Sequence, residues 1–338
     1  MSTQPSIEPA SAWQRALKTA VRSFSELAEL LELPLEALGS EAAAAAAAAE
    51  FPLLVPRGFV ARMRKRDPRD PLLLQVLPTA AELVRVPGFD ADPVREHGLA
   101  ERGVVQKYAA RVLLVASAAC PVHCRYCFRR EFPYSAQLAA REDFEPALAE
   151  IRSRSGIEEV ILSGGDPLSL GNRRIAALLD RLASVGGLER VRIHTRYPIV
   201  LPERVDAGLV AILAESRFDV VVVVHANHAN EFDASVAAAL GELRAAGATV
   251  LNQSVLLAGV NDDADALAEL SRRAFASGAL PYYLHLLDPV AGAAHYDVDE
   301  ARARALYGRL LARLPGYLVP RLVREIPGRA SKTPIVEA

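Results

Sequence analysis

Arg111-Val-Leu-Leu-Val-Ala-Ser-Ala-Ala-Cys-Pro-Val-His-Cys-Arg-Tyr-Cys127 decides the reading of this chain: an apolar, β-rich run opens into a loop that carries every cysteine of the protein. Runs of the same texture recur at Glu158–Leu162, Val191–His194, Asp219–His225, Thr249–Leu256 and Tyr282–Leu287. Most are followed by stretches with helical patterning, namely Asn172–Ala183, Pro202–Glu215, Ala234–Ala246, Ala264–Ala276 and Glu300–Leu314. Strands alternating with helices at roughly thirty-residue spacing predict right-handed βαβ units and a parallel sheet. The six runs are two short of a full eight-unit barrel. The expected fold is therefore α/β, a partial (β/α)6 barrel over residues 106–325 with its site at the C-terminal ends of the strands. An open doubly wound sheet is the alternative, because strand number does not dictate closure.

Upstream, residues 1–105 lack such runs and read as a helical N-terminal region. Ser23-Phe24-Ser25 predicts a cap over a helix Glu26–Leu31. Pro34 fits the first turn of the next helix, which is expected to run into the alanine tract Ala42–Ala49 as a solvent-facing end. Pro68, Pro71, Pro78, Pro87 and Pro93 break the rest into connectors, and residues 326–338 form a C-terminal tail.

With 338 residues, 51% of them hydrophobic, the chain can bury a sizeable core. A net charge of −2 leaves no electrostatic footprint for nucleic acid. Arg62, Arg64, Lys65, Arg66 and Arg69 alternate with Asp67 and Asp70, a pattern that predicts a solvated loop. The start has no apolar signal core and no stretch is apolar enough to span a bilayer, so a cytoplasmic protein without a membrane partner is expected.

The three cysteines, Cys120, Cys124 and Cys127, are an odd, clustered set that does not suit a disulfide framework. Three thiolates in one tight loop can hold three irons of a [4Fe–4S] cubane and leave the fourth open to a ligand. A zinc site with His123 as fourth ligand, or apolar buried cysteines, are the competing readings. Ser163-Gly164-Gly165-Asp166-Pro167 ends the second strand, and glycines there permit close backbone approach to a ligand.

Cx3CxxC after the first strand of a βα barrel resembles the radical S-adenosylmethionine superfamily. That resemblance implies a radical-SAM barrel, reductive cleavage of S-adenosylmethionine at the open iron, and binding of its methionine end by Ser163, Gly164, Gly165 and Asp166. Further matches lie at Cys124-Arg-Tyr-Cys-Phe-Arg-Arg-Glu-Phe-Pro-Tyr134, Arg196-Tyr-Pro-Ile-Val-Leu-Pro202, His225-Ala-Asn-His-Ala-Asn-Glu231, Asn252-Gln-Ser-Val-Leu-Leu257 and Pro327-Gly-Arg-Ala-Ser-Lys-Thr-Pro334. Together they resemble the lysine 2,3-aminomutases, most closely the short bacterial branch that supplies β-lysine for modifying translation elongation factor P.

The implied reaction is an isomerisation of L-lysine to β-lysine that uses pyridoxal 5′-phosphate beside the cluster and S-adenosylmethionine. Implied partners are a reductase or flavodoxin-type electron donor and, functionally, elongation factor P with its ligase. By the same resemblance Lys332 is the catalytic lysine that holds pyridoxal phosphate, and Lys107 and Arg111 lie near its phosphate. Gln253 and Asn227 are polar contacts to either cofactor. Arg129 pairs with the substrate α-carboxylate, a role that neighbouring Arg130 could take instead. Asp288 and Glu325 hold the distal ammonium, and two converging acids favour lysine over glutamate. No cysteine follows Cys127, so the structural zinc of longer family members is not implied. His123, His194, His225 and His228 read as structural histidines. A glutamate or other amino-acid 2,3-aminomutase, a radical enzyme without pyridoxal phosphate, and a metal-binding scaffold are the competing functions.

Overall fold

The computed structural model describes residues 11–98, 100–134 and 138–335. Its centre is one ten-stranded sheet in strictly sequential order, β1 (Ala100–Glu101), β2 (Val104–Tyr108), β3 (Arg111–Ser117), β4 (Glu159–Gly164), β5 (Arg190–Thr195), β6 (Asp219–His225), β7 (Thr249–Val255), β8 (Leu280–His285), β9 (Arg321–Arg324) and β10 (Thr333–Pro334). Strands β3 to β9 pair in parallel, while β1–β2, β2–β3 and β9–β10 are antiparallel. All six expected strands are present within a few residues of their expected bounds. The short β9 adds a seventh parallel strand, and β1 with the first two residues of β2 falls in the stretch 1–105 expected to be helical. Four residues of β9, with Leu322 and Val323 buried side by side between two arginines, are too few to show a strand period in sequence.

Alternation along the strands explains why the sheet curls rather than lying open between two helix layers. Val112, Leu114, Val160, Leu162, Val191, Ile193, Val220, Val222 and Val224 point outward into one core with Leu148, Leu178, Leu213 and Leu240 of the crossover helices. The opposite face carries Glu159, Ser163, Arg192, His194, His225, Gln253, Tyr283 and His285, a set that no second helix layer could bury. The two ends of the sheet meet instead across this polar face. Lys107 of β2 lies 3.5 Å from Glu325, which follows β9, and the Tyr108 hydroxyl donates to the same carboxylate at 3.4 Å. The result is an incomplete barrel with a polar interior, and the doubly wound alternative is set aside.

The helices Asn172–Ala183 and Ala264–Ala276 fall on their expected bounds. Pro202–Glu215 divides into a short turn and a helix Ala207–Ala214, because the Asp206 side chain caps the latter through Leu209 N–H. In the N-terminal region Ser23 caps the helix Phe24–Leu30 as expected. The continuous helix expected from Pro34 is broken: Gly39 takes φ +101° and Ser40 starts a new helix, Glu41–Glu50, by accepting from Ala43 N–H. That alanine helix is not simply solvent-facing, since Ala44 and Ala47 are buried and its C-terminal carbonyls serve the cysteine loop. The basic loop also differs from expectation at two residues. Asp70 is fully buried and accepts from the Arg64, Leu72 and Leu73 N–H groups. Arg62 is buried and donates to the Ile199 and Glu231 carbonyls, whereas Lys65 and Arg66 pair with exposed Glu32. No helix among the described residues is long and apolar enough to cross a membrane.

Candidate functional site

The cysteine loop leaves the C-terminal end of β3 and is fastened on both sides. Gly165 N–H donates to Ser117 O and Asp166 N–H to Ala119 O, both at 2.7 Å, so the end of β4 grips the chain just before Cys120. This contact is what the glycines serve. A Cβ on Gly164 would stand 2.5 Å from Ser117 O, at φ +116°, and one on Gly165 would stand 2.6 Å from Ala119 O. The Asp166 carboxylate is turned inward to Thr195 Oγ1 and the backbone N–H groups of Leu168 and Arg196, and burial pushes it up to about 6 despite those bonds. What this segment offers a ligand is therefore backbone, with the acid acting as a clamp.

On its other side the loop is held by the N-terminal region. Arg125, fully buried, pairs with Glu82 at 2.5 Å and donates to the Phe51 and Ala47 carbonyls at the end of the alanine helix. Cations suit such a helix end. His123 is committed here too: its Nδ1 meets Pro52 O at 2.7 Å and its ring stacks on Phe51. With Nδ1 on a backbone carbonyl and its ring on Phe51, His123 is held by the N-terminal region, which speaks against its use as a fourth metal ligand.

The three thiols are half-buried and within electrostatic range of one another. Burial, then Asp166 and the other two cysteines, push the Cys120 thiol well up, and burial with Cys124 pushes Cys127 up to about 11. Thiols pushed up in this way, as Cys120 and Cys127 are, ionise only beside a strong cation. Among the described residues no three His, Cys, Asp or Glu side chains gather tightly enough for one metal ion. A cubane carries its ligands at separate corners, so this all-sulfur set with no fourth protein ligand fits a [4Fe–4S] cluster with one open iron. Beside Cys124 lie Tyr126 and Arg196, tied into a buried network with Gln75, Asn227, His225 and Glu231. Asn227 is consumed there, its amide bonding Gln75, Tyr126 and Val255 N–H, and is not left over for a cofactor.

Inside the barrel a line of alternating charge crosses the chamber. Arg129 Nε meets Glu96 Oε2 at 2.8 Å; Glu96 Oε1 meets Lys107 Nζ at 3.1 Å; Lys107 reaches Glu325 at 3.5 Å; and Glu325 pairs with Lys332 Nζ at 2.9 Å. Lys332 Nζ stands 5.9 Å from the Tyr283 ring. Asp288, in the loop after β8, faces the same charges: burial lifts its carboxyl to about 6, Lys332 and Lys107 pulling down and Glu325 and Glu96 pushing up. Arg129 Nη1 also donates to Ser163 Oγ at 2.9 Å, and its Nη2 has no partner among the described residues. Arg130 is spoken for, pairing with Glu82 at 3.0 Å above the Phe51 ring. Arg111 stacks on Tyr108 at 4.2 Å near the β2–β3 turn, and Gln253 sits on the inner face of β7 opposite His225 and Tyr283.

The structure thus brings Lys107, Arg129, Asp288, Glu325 and Lys332 into one chamber, with Ser163 at its wall, Arg111 at its floor and the cysteine loop at its mouth. Glu96 is the residue that sequence reasoning missed. It comes from the connector after Pro93, where no period or motif marks it, and it neutralises two cations at once. Burial opposes its charge, but Arg129 and Lys107 outweigh that and hold it at about 2.

Residues 114–270 match the radical SAM superfamily. The chain is 44% identical over 323 residues to the L-lysine 2,3-aminomutase of Escherichia coli (strain K12), covering 96% of this chain and 94% of that protein. It is 43% identical over 331 residues to the L-lysine 2,3-aminomutase of Haemophilus influenzae, covering 98% and 97%. A third enzyme of that name, from Buchnera aphidicola, is 44% identical over 283 residues, 83% of each chain.

Proposed function

The chain belongs to the lysine 2,3-aminomutase family of radical SAM enzymes, and on that premise we propose that it isomerises L-lysine to β-lysine with pyridoxal phosphate as second cofactor. We further infer that the β-lysine serves elongation factor P through a separate ligase, and that a flavodoxin-type protein or reductase supplies the electron. The observation that carries the reading is the chamber itself: a lysine, two acids and an arginine with an unpartnered nitrogen stand in one polar interior beneath three thiols.

When bound, the cluster with S-adenosylmethionine would supply hydrogen-atom abstraction from an unactivated carbon, and pyridoxal phosphate a conjugated system across which nitrogen can migrate. Cys120, Cys124 and Cys127 would hold the cluster, with Ser163, Gly164 and Gly165 along the S-adenosylmethionine and Gln253 beside it. Lys332 would hold pyridoxal phosphate, and Lys107 and Arg111 would face its phosphate. Arg129 would take the substrate α-carboxylate on Nη2, kept at its angle by Glu96 and Ser163. Asp288 and Glu325 would receive the ε-ammonium, Glu325 exchanging Lys332 for the substrate cation. The Lys107–Glu325 contact, which joins the two ends of the sheet, would limit entry of bulk water on that side of the chamber.

Anaerobic incubation of reconstituted protein with L-lysine, S-adenosylmethionine, pyridoxal phosphate and a reductant tests this by chiral chromatography of the products. β-Lysine should form and should vanish in Lys332→Ala and Cys124→Ala. Turnover of glutamate instead of lysine would transfer the assignment to another amino-acid aminomutase.

A further inference from the structure

His194 has no use in the reading above, and its side chain has no hydrogen-bond partner among the described residues. It lies on the inner face of β5, one residue beyond the Leu162–Ile193 pair and so beside Ser163, which accepts from Arg129. On its other side it pairs in register with Val223 of β6. Its Nε2 is shut off from solvent and makes no hydrogen bond. The histidines at the barrel mouth behave differently: His225 meets the Tyr126 hydroxyl at 3.0 Å and His228 accepts from Asn230 N–H. A buried polar atom without a partner costs stability, and a bound group facing it is one way to offset that cost. Burial, together with Arg192, Lys332, Arg129 and His225, keeps this imidazole neutral, its pKa well below the usual histidine range. Arg192 is already matched by bidentate Glu159. The other two cations that act on His194 are Arg129 and Lys332; each has one carboxylate partner, and Arg129 keeps its Nη2 unpartnered among the described residues, so an anion beside His194 would meet donors on both sides. A neutral imidazole offers an anion one N–H.

We propose that His194 is a ligand contact whose imidazole N–H donates to an anionic oxygen held between Arg129 and Lys332. That oxygen belongs to the α-carboxylate of the amino acid or to the ring hydroxyl of pyridoxal phosphate. The proposal rests on the preceding reading of the chamber.

The test uses full-length protein loaded with pyridoxal phosphate and no cluster, so that no turnover is needed. The absorption band of the bound cofactor is recorded first and then followed during titration with L-lysine. His194→Phe removes the N–H, whereas His194→Gln returns an amide N–H near the same place. In His194→Phe the lysine titration should weaken by about tenfold to a hundredfold, the range for a hydrogen bond to a charged group. His194→Gln should stay within about threefold of wild type. A band unchanged before lysine assigns the carboxylate as acceptor; a band already shifted assigns the cofactor oxygen. If His194→Phe does not fold, His194→Leu carries the same expectation. An unaltered band together with an unaltered titration in the folded variant overturns the proposal. Wild-type protein that takes up no cofactor, or takes it up equally as Lys332→Ala, overturns the preceding reading and this proposal with it.

Discussion

Replacing Glu96 by glutamine keeps its shape and an acceptor for Arg129 while deleting the charge between Arg129 and Lys107. Burial alone would raise this carboxyl, yet the two cations at 2.8 and 3.1 Å bring it from 4.5 to about 2. At about 1.4 kcal/mol per unit, that depression is worth on the order of 3 kcal/mol to the folded state. A folded pKa below the unfolded one means that the stability is fully present above pH 4.5 and is lost as pH falls toward 2. Losing one partner of a buried ion pair points the same way and to a similar size. Urea unfolding of cofactor-free wild type and Glu96→Gln at pH 7, 5 and 3 measures it. The gap should be about 3 kcal/mol at neutral pH and less than half of that near pH 3. A gap that is absent at pH 7, or constant down to pH 3, would refute the claim that the ionised carboxylate holds these cations.

Gly165→Ala drives a Cβ into the Ala118–Ala119 backbone, which cannot swing aside as a side chain could. Overpacking of this kind costs about 1–3 kcal/mol, and because the strain falls just before Cys120, iron and sulfide content after reconstitution should drop with the melting temperature. His123→Ala should leave iron and sulfide content unchanged, since its ring faces Pro52 and Phe51; loss of bound metal would restore the zinc reading. Asp288, lifted to about 6 mainly by burial, is neutral below that pH and charged above it. Lysine KM should therefore fall as pH rises from 5 to 7, and in Asp288→Asn this inflection should disappear from the KM profile.

Strand positions were legible because each is a short apolar, β-rich run bounded by turn or helix signals, and in β4 and β5 valine, leucine or isoleucine on the helix-facing side alternates with a chamber side that carries Glu159, Ser163, Arg192 and His194. The polar inner residues Arg192, His194, Gln253 and His285 are what separate a barrel interior from a second packed face. β2 was not legible: Val104–Tyr108 owes its conformation to pairing with β3, a tertiary cause that local propensity does not register. The break at Gly39 was available in sequence as a glycine before a serine cap, but the alanine tract behind it masked the signal. In the site, spacing made the cysteines readable and flanking motif residues pointed to Lys332. Glu96 reaches Arg129 from 33 residues away, and neither its type nor its neighbours announces that contact. Asp166 shows the converse limit: a conspicuous acid beside two glycines spends its carboxylate on Thr195 and Arg196 rather than on the chamber.

The most direct test of a single chamber shared by both cofactors and the substrate is isotope transfer from lysine. L-Lysine deuterated at C3 is incubated anaerobically with reconstituted protein, S-adenosylmethionine, pyridoxal phosphate and a reductant, and products are read by mass spectrometry. The account predicts deuterium in 5′-deoxyadenosine and at C2 of β-lysine. S-Adenosylmethionine cleavage that leaves 5′-deoxyadenosine free of deuterium would show that the radical never meets lysine, and would contradict it.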